Sequence, residues 1–348
     1  MVDALRAIAP GRPLRDGLDR ILQANKGALI VVGDGPEVLA ICSGGFLLDS
    51  EFTPQRVFEL TKMDGAIILA EDASRIARAN VHLVPDPTVP TSETGTRHRT
   101  AERVARSIDV PVIAVSEDMS VITVCRGDQK HALDSIPRVL VRANQALQTL
   151  ERYRDRLDAV TNSLTAVEVE DLVTVRDVVT LLQRAEMLRR IAEEIDGYVV
   201  ELGTDGRLIR LQVHELMAGV DDDRCNVIFD YLPEYELAAA DRSLTELTEL
   251  STETLLDPTA VATLLRLPEA ADLDAALQPR GYRLLRKIPR LPARVVTAIV
   301  GRYGNLQKVM RAPAEELASV PGVSDANARL AKDGLSRLAE TSILDHFG

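Results

Sequence analysis

The sequence predicts an α/β domain over residues 1–146, an all-α domain over residues 147–280, and a basic domain over residues 281–348 in which helices flank a tight hairpin. Two of the observations behind this division concern pattern. Short apolar runs alternate with helical patterns in the first part, and helical spacing continues without strong breakers through the second. The third observation is charge, which differs sharply between the three parts.

The first domain contains apolar, β-rich runs that are bounded by Gly, Asp or Ser. Five such runs predict strands: Ala28–Val32, Val38–Cys42, Ala66–Ala70, Val110–Val115 and Val121–Cys125. A Gly-Asp-Gly cluster marks a turn between the first two runs, and a Ser-Gly-Gly cluster follows the second. We therefore expect the first two strands to pair with each other.

Helical spacing dominates the middle of the chain. From Ala143 to about Ile195 apolar residues recur at helix-like intervals, which predicts long helices. Residues 196–280 predict shorter helices and include the acidic cluster Asp221–Asp223. A domain boundary is expected near Arg280.

Charge is distributed unevenly along the 348 residues. Lys and Arg number 17 against 19 Asp and Glu in residues 1–146, 13 against 28 in residues 147–280, and 11 against 6 in residues 281–348. The net charge of −12 argues against nucleic acid as a partner of the whole chain, but the last segment is basic. Only that segment is suited to approach a phosphate backbone.

Composition excludes several other classes of protein. No apolar run approaches the ~20 residues that cross a bilayer, and the N-terminus lacks the pattern of a secretory signal. The three cysteines are far apart and lack the paired spacing of a zinc site or a disulfide framework. Aromatic residues make up only 3% of the chain and Trp is absent, which argues against a base-stacking surface. The sequence predicts a cytosolic protein.

Basic residues precede the apolar face of a helix that is predicted to begin near Thr96. Arg97, His98 and Arg99 fall in its first turn, and the buried face starts at Ala101. Basic side chains are unfavourable at the positive end of a helix dipole unless an anion binds there. One arginine guanidinium can bind two phosphate oxygens at once, so this first helical turn suits a polyphosphate. The alternative is a solvated basic turn without a ligand.

Asp64, Gly65 and Ala66 stand directly before the core of a predicted strand. A carboxylate beside glycine is well placed to hold a divalent cation or to accept a hydroxyl proton, because glycine lets a ligand approach the backbone. Asp-Gly is also an ordinary turn dipeptide, so the motif alone is a weak signal. Neither a Walker A motif nor a GxGxxG fingerprint occurs in the chain.

The segment SVPGVS in the basic tail predicts a helix, a tight hairpin at Gly322, and a second helix capped by Ser324. It resembles a helix-hairpin-helix element, in which backbone amides contact DNA phosphates. The earlier segment IPRLP, over residues 288–292, has the position of a paired first hairpin but lacks the turn glycine. A plain helical hairpin that makes protein contacts is the alternative.

These motifs occur together and in one order: Asp64-Gly65-Ala66, then Thr96-Arg97-His98-Arg99-Thr100, then the hairpin tail. With them the chain resembles, over essentially its full length, the DisA family of bacterial DNA integrity scanning proteins. The resemblance implies an α/β diadenylate cyclase domain with a mixed sheet flanked by helices, an all-α linker and oligomerisation domain, and a C-terminal helix-hairpin-helix domain. It also implies condensation of two ATP into cyclic di-AMP and two pyrophosphates with Mg²⁺ or Mn²⁺.

Roles for individual residues follow from the same resemblance. It implies that Asp64 binds the metal and acts in catalysis with Arg97, His98 and Arg99. The residues expected to bind ATP are Asp64, Gly65, Ala66, Leu83, Thr96, Arg97, His98, Arg99, Thr100 and Ser116. The residues expected to contact DNA are Arg290, Arg294, Val320, Gly322, Val323 and Ser324.

The resemblance also implies partners. Facing active sites imply a homo-oligomer, in this family an octamer, and branched double-stranded DNA such as Holliday junctions is implied to suppress synthesis. The location implied is the cytoplasm, in association with the nucleoid, with DNA repair proteins as further partners and no membrane. A second hypothesis is a DNA-junction-binding scaffold that senses ATP without turnover. A third is a phosphotransferase with another acceptor.

Overall fold

A computed structural model describes residues 1–117, 119–232 and 237–347. Its strands and five of its helices lie in residues 2–132, and its elements from residue 136 onwards are helices. The strands are β1 (Ala28–Val32), β2 (Cys42–Ser43), β3 (Phe46–Glu51), β4 (Ala66–Leu69), β5 (Arg75–Leu83), β6 (Val112–Val115), β7 (Ile122–Arg126) and β8 (Gln129–Ala132). The helices among and before them are α1 (Val2–Ala7), α2 (Pro13–Gln23), α3 (Pro36–Ala40), α4 (Pro54–Leu60) and α5 (Thr96–Ile108).

Two compact units divide the chain. One consists of Met1–Gln145 with Glu194–Leu211, and the other of Ala146–Glu193 with Gln212–Gly348. The first of these cuts falls one residue before the predicted domain boundary at residue 146. The division into three domains, with a second boundary at residue 280, stays a prediction.

The first unit is built on a mixed sheet. The eight strands found in the described residues have the order β2-β5-β4-β1-β6-β7-β8, and β3 pairs with β5 beside this path. β1 and β4 are parallel, whereas the other paired strands are antiparallel. This arrangement confirms the expected mixed sheet.

Helices cover both faces of the central strands. Ile30 of β1 packs on one face with α2 and α4, and Val31 packs on the other face with α5. Successive side chains of a strand point to opposite faces, so a strand covered on both sides reads as a continuous apolar run. That is why β1, β4, β6 and β7 lie where the sequence predicts strands.

The predicted strand over residues 38–42 is wrong. Helix α3 occupies Pro36–Ala40, and only Cys42–Ser43 forms a short strand that pairs with β5. Gly35 in an extended conformation followed by Pro36 is a favourable start for a helix, and a short apolar run does not distinguish helix from strand. The expected pairing of the first two runs is also wrong, because β1 pairs with β4 and β6.

Three strands lie outside the predicted runs: β3, β5 and β8. β5 is interrupted in sequence by Arg75 and Arg78, and its pairing with β4 contains register shifts. Asn80 in this strand has a φ of 56°, which is the left-handed region. A strand with charged side chains and a bulge does not show clean alternation, so its pattern is not visible in the sequence.

The described elements that follow β8 are helices, as the sequence predicts. They are α6 (Ile136–Glu170), α7 (Val175–Leu202), a 3-10 turn (Gly203–Gly206), α8 (Arg207–Met217), α9 (Val220–Tyr231), α10 (Leu237–Glu249), α11 (Thr252–Leu256), α12 (Pro258–Leu264), α13 (Tyr282–Arg286), α14 (Ala293–Tyr303), α15 (Leu306–Arg311), α16 (Ala314–Ala318) and α17 (Asp325–Phe347). No helix in the described ranges has both the length and the apolar composition needed to cross a membrane.

The tail contains two hairpins of the same form. The second lies where the sequence predicts it, between α16 and α17, with Gly322 at a φ of 86° and the Ser324 hydroxyl accepting a hydrogen bond from the Asn327 N–H at 3.3 Å. The first joins α13 to α14, and Arg290 occupies the place of the glycine with a φ of 66°. Each left-handed residue directly follows a proline.

Candidate functional site

Two of the expected positions, Asp64 and Ser116, lie on either side of the start of β1. Ile30 is paired with Ile67 in the parallel strands, so Gly27, which precedes β1, and Asp64, which precedes β4, lie at the same end of the sheet. On the other side of β1, Ala28 is paired with Val115, which puts Gly27 opposite Ser116. The start of β1 therefore separates the Asp-Gly-Ala motif from the end of β6.

Helix α5 brings a guanidinium to this edge. A Cβ atom added at Gly27 would lie 2.6 Å from Cζ of Arg97 and closer still to its Nη1. The far end of Arg97 therefore rests on the backbone where β1 begins. Sequence reasoning missed Gly27, and its only signal was a glycine directly before a buried strand.

The first turn of α5 is free to bind an anion. Gly95 is the N-cap and offers no side chain to the first N–H groups, and the turn contains no acidic residue. Arg97 and Arg99 are exposed there. Unpaired backbone N–H groups and two exposed arginines therefore occur in one helical turn, and their binding of a polyphosphate stays a prediction.

His98 is half-buried in this turn, and its surroundings favour the neutral form of its imidazole. Burial lowers the pKa of its imidazole, and the positive charge of Arg97 lowers it further. Its Nε2 atom is shielded from solvent and has no hydrogen-bond partner in the residues that the structure describes. A shielded ring nitrogen without a partner is costly unless a ligand supplies one.

Glu102 fixes the loop that leads into α5. This carboxylate is buried; it accepts hydrogen bonds from the hydroxyl of Thr91 and, at 3.2 Å, from the N–H of Ser92. Its other oxygen pairs with Arg106 at 3.0 Å. Sequence reasoning missed Glu102 as well, although an acid directly after the first buried residue of an amphipathic helix is a signal.

Gly65 is required by the approach of the neighbouring strand. Its φ is 98°, and a Cβ atom there would lie 2.8 Å from the carbonyl carbon of Asn80. Ala66 begins β4, is almost fully buried and pairs with Val81. The backbone of β5 thus lies directly against the Asp-Gly-Ala turn.

The other residues expected to bind ATP differ in accessibility. Leu83 is 5% exposed at the end of β5 and contributes to the core beneath α5. Ser116 accepts a hydrogen bond from the Met119 N–H at 3.2 Å and so stabilises the turn after β6. Thr96 is exposed and Thr100 is half-buried on the first turn of α5. The roles of these residues stay predictions.

A divalent ion fits this site only together with a substrate. In the described part of the chain no three His, Cys, Asp or Glu side chains are grouped to hold a metal ion. Asp64 is exposed and makes no ion pair or side-chain hydrogen bond with a described residue. Since Mg²⁺ is commonly held by one or two carboxylates plus substrate phosphates, a lone free carboxylate suits an ion shared with a nucleotide.

The residues expected to contact DNA all lie on the two hairpins. Arg290 and Arg294 are exposed on the first. On the second, the side chains of Val320 and Val323 are in the core, so only their backbone groups remain available to a ligand. Gly322 and Ser324 are exposed; their contacts with DNA stay predictions.

Known proteins resemble this chain over nearly all of its length. The model of the DisA bacterial checkpoint controller nucleotide-binding region matches residues 15–130, and that of the linker region matches residues 133–273. The DNA integrity scanning protein DisA of Frankia alni is 54% identical over 345 residues, which cover 99% of this chain and 96% of that protein. The chain belongs to the DisA family. The DisA protein of Streptomyces coelicolor is 51% identical over 348 residues, covering 99% and 93%.

Membership in the DisA family confirms the resemblance on which the expected residues depend. The matched nucleotide-binding region contains the whole sheet edge and α5. Among solved structures, a DacA double mutant from Staphylococcus aureus is 22% identical and covers 38% of this chain and 88% of its own, with a TM-score of 0.29. At that TM-score the likeness supports no structural argument.

Proposed function

We propose that this chain is a diadenylate cyclase, which joins two ATP molecules into cyclic di-AMP and releases two pyrophosphates. The observation that carries the proposal is the contact of Arg97 with Gly27, which directly precedes β1, the parallel neighbour of the strand that follows Asp64. A cationic group for a triphosphate thus lies at the start of β1, and a free carboxylate for a hydroxyl precedes the neighbouring strand β4. The match to a nucleotide-binding family supports the same reading.

The first turn of α5 binds the triphosphate in this proposal. Its N–H groups with Arg97 and Arg99 neutralise phosphate oxygens and stabilise the charge that grows on the departing pyrophosphate. Thr96 and Thr100 supply hydroxyl donors beside them. His98 is neutral before the substrate binds, and a phosphate oxygen would provide the hydrogen-bond partner that its Nε2 lacks.

Asp64 serves the other end of the nucleotide. It accepts the proton of a ribose 3′-hydroxyl, whose oxygen attacks an α-phosphorus while the bond from that phosphorus to the bridging oxygen of pyrophosphate breaks. Bound Mg²⁺ or Mn²⁺ supplies positive charge that neutralises the phosphates and favours ionisation of the hydroxyl. Asp64 would hold the ion together with phosphate oxygens, and Gly65 lets the nucleotide approach the backbone.

Two copies of the chain are needed for this reaction. Each copy contributes one α5 corner and one Asp64, and the cyclic product contains two identical bonds. A two-fold arrangement in which each 3′-hydroxyl meets the opposite α-phosphate makes both bonds with one kind of site. The assembly proposed is therefore a homo-oligomer that contains facing pairs, with an octamer as the complete form.

The tail is proposed to bind branched double-stranded DNA, such as Holliday junctions, and thereby to suppress synthesis. The exposed Gly322 turn leaves backbone amides open to phosphate oxygens, and Arg290 and Arg294 add positive charge on the paired hairpin. Such contacts follow duplex shape and weaken steeply with salt. DNA repair proteins as partners and association with the nucleoid in the cytoplasm belong to the same proposal.

Incubation of the purified protein with ATP and either Mg²⁺ or Mn²⁺, followed by chromatography and mass determination, tests the activity. Cyclic di-AMP and pyrophosphate in a 1:2 ratio are expected from the stated reaction. Asp64→Asn should retain most ATP binding and lose cyclisation. ATP that binds to the wild type but is not converted would overturn the proposal in favour of the DNA-junction-binding scaffold, and dependence on a second substrate would indicate a phosphotransferase.

Charge reversal on the first hairpin tests the proposed control by DNA. Arg290→Glu with Arg294→Glu should keep the cyclase rate and lose inhibition by a Holliday junction, whereas Arg302→Glu on the same helix α14 is the matched control. Removing the whole tail is a poorer test, because Arg283 is the buried partner of Glu168. Inhibition that persists in the double variant would show that this hairpin does not sense DNA.

A further inference from the structure

A second cavity lies in the first unit, and none of the residues that line it belongs to the candidate site. Its volume is about 830 Å³, and it is bordered by the loop between α1 and α2, the end of α7, the 3-10 turn and the start of α8. Four arginines line it against a single carboxylate, that of Asp196. The arginines are Arg6, Arg12, Arg207 and Arg210.

Two interlocked glycine turns form the frame of this cavity. The N–H of Thr204 donates a hydrogen bond to the Pro10 oxygen at 3.2 Å. A Cβ atom at Gly11 would lie 2.5 Å from Cγ2 of Thr204, and one at Gly203 would lie 3.0 Å from Cβ of Ala9. Both glycines have positive φ. The two turns therefore approach too closely for residues larger than glycine at these two positions.

The positive charge of the cavity is not balanced within the described residues. Arg12, Arg207 and Arg210 make no side-chain hydrogen bond or ion pair with any residue that the structure describes, and Arg6 pairs only with exposed Asp3, at 3.2 Å. Four guanidinium groups around one space repel one another, and the chain as a whole has an excess of acidic residues that could have paired with them.

One of these arginines also opposes a helix dipole. Arg12 is the N-cap of α2, a helix of 11 residues, and makes no side-chain capping hydrogen bond. Positive charge is unfavourable at the N-terminus of a helix, where N–H groups are unpaired and the dipole is positive. A bound anion removes this penalty. Arg207 differs, because α8 continues directly from the 3-10 turn and the Arg207 N–H donates to the Thr204 oxygen.

The chemistry of the walls identifies the class of anion. Ala9 and Val199 are buried at the floor of the cavity, so it offers an apolar surface beside the arginines. Its volume is within the range of about 300–1,000 Å³ that is common for small-molecule sites. We propose that this cavity binds a nucleoside polyphosphate, with the phosphates on the guanidinium groups and the base on the apolar floor. It would be a binding site separate from the candidate site at the first turn of α5.

Counting nucleotide sites tests the proposal, with α,β-methylene-ATP as the probe because its α–β bridge is not cleaved. The wild type is expected to bind two molecules per chain, and Arg207→Gln with Arg210→Gln only one at the same probe concentrations. Loss of two charge-assisted contacts should weaken the remaining affinity of the cavity about 100-fold. Arg97→Gln with Arg99→Gln should lose the other molecule, so the readout does not depend on cyclase activity.

Arg20→Gln is the matched control, since Arg20 is an exposed arginine of the same unit that does not line the cavity. The Arg20→Gln variant should bind two molecules of α,β-methylene-ATP per chain. Inorganic pyrophosphate should compete only weakly with this probe for the cavity. One molecule per chain in the wild type, or two in the Arg207 and Arg210 double variant, would overturn the proposal. Pyrophosphate that binds as tightly as the nucleotide would refute the role of the apolar floor. If the Arg207 and Arg210 double variant lost duplex DNA binding and kept both nucleotides, the proposal would be overturned and the cavity reassigned to nucleic acid.

Discussion

Replacing Gly27 by alanine tests whether the position of Arg97 matters for the reaction. The new Cβ atom would lie 2.6 Å from Cζ of Arg97, where an ordinary contact begins near 3.4 Å. The guanidinium must therefore withdraw by roughly 1 Å, and a misplacement of that size at a reacting group costs on the order of 100-fold in rate. We expect kcat/KM for cyclic di-AMP formation to fall by about that factor.

Stability should not follow activity in this variant. The clash involves the far end of a flexible side chain, and the φ of Gly27 is not in the left-handed region, so the backbone accommodates alanine. Loss of backbone freedom in the unfolded chain should leave the free energy of unfolding equal or higher by about 0.4–1 kcal/mol. Urea unfolding measures this term, and a steady-state assay of pyrophosphate release measures the rate.

Gly197→Ala is the control for Gly27→Ala. Gly197 lies inside α7 with no atom within 4 Å of an added Cβ, so alanine there should raise stability and leave the rate unchanged. Wild-type kcat/KM in Gly27→Ala would refute the assignment of Arg97 to the reacting phosphates. A large loss of stability would refute the view that only the guanidinium has to move.

Three further predictions concern other parts of the chain. Arg290→Gly should raise the free energy of unfolding by roughly 0.5–1 kcal/mol, because glycine avoids the cost of a left-handed φ, and it should lower the salt slope of DNA binding by about 1; lower stability in urea would contradict this. His98 has a lowered pKa, so its contribution to stability is present above pH 6.5 and is lost as the pH falls through the folded-state value; in His98→Gln this part of the pH dependence of urea unfolding should disappear. Glu168→Ala should cost about 3–5 kcal/mol in the same measurement, because it leaves Arg283 buried without its partner, and adding Arg283→Met should recover much of that loss.

Whether a strand could be predicted from the sequence depended on how it is buried and on the charged residues it contains. β1 is buried on both faces and reads as an unbroken apolar run, so its bounds could be predicted. β5 pairs with three strands, but Arg75 reaches out to bind Asp34 at 2.6 Å, and charged residues of this kind break the pattern. Periodicity also says nothing about partners. The parallel pairing of β1 with β4 depends on tertiary packing of the segments between them, so adjacency along the chain led to the wrong neighbour.

The candidate site was predictable in the same uneven way. The basic first turn of α5 is a local feature, because helix spacing and dipole sign can both be read from consecutive residues. The contact between Arg97 and Gly27 joins residues that are distant in sequence, and it depends on the packing of α5 against the sheet. Glu102 is similar, since its partners Thr91 and Ser92 belong to a loop without a regular pattern.

The two hairpins of the tail share one backbone form but expose different groups. Both turns place a left-handed residue after proline, at Gly322 and at Arg290, and in both the following N–H bonds back across the turn, at 3.0 Å and 3.3 Å. Absence of the glycine therefore does not abolish the first hairpin; it adds backbone strain and a guanidinium at the point where the second hairpin exposes bare backbone. An anion would therefore bind backbone amides at Gly322 on the second hairpin and the guanidinium of Arg290 on the first. The first hairpin should accordingly contribute to DNA affinity mainly through charge and lose that contribution first as salt rises.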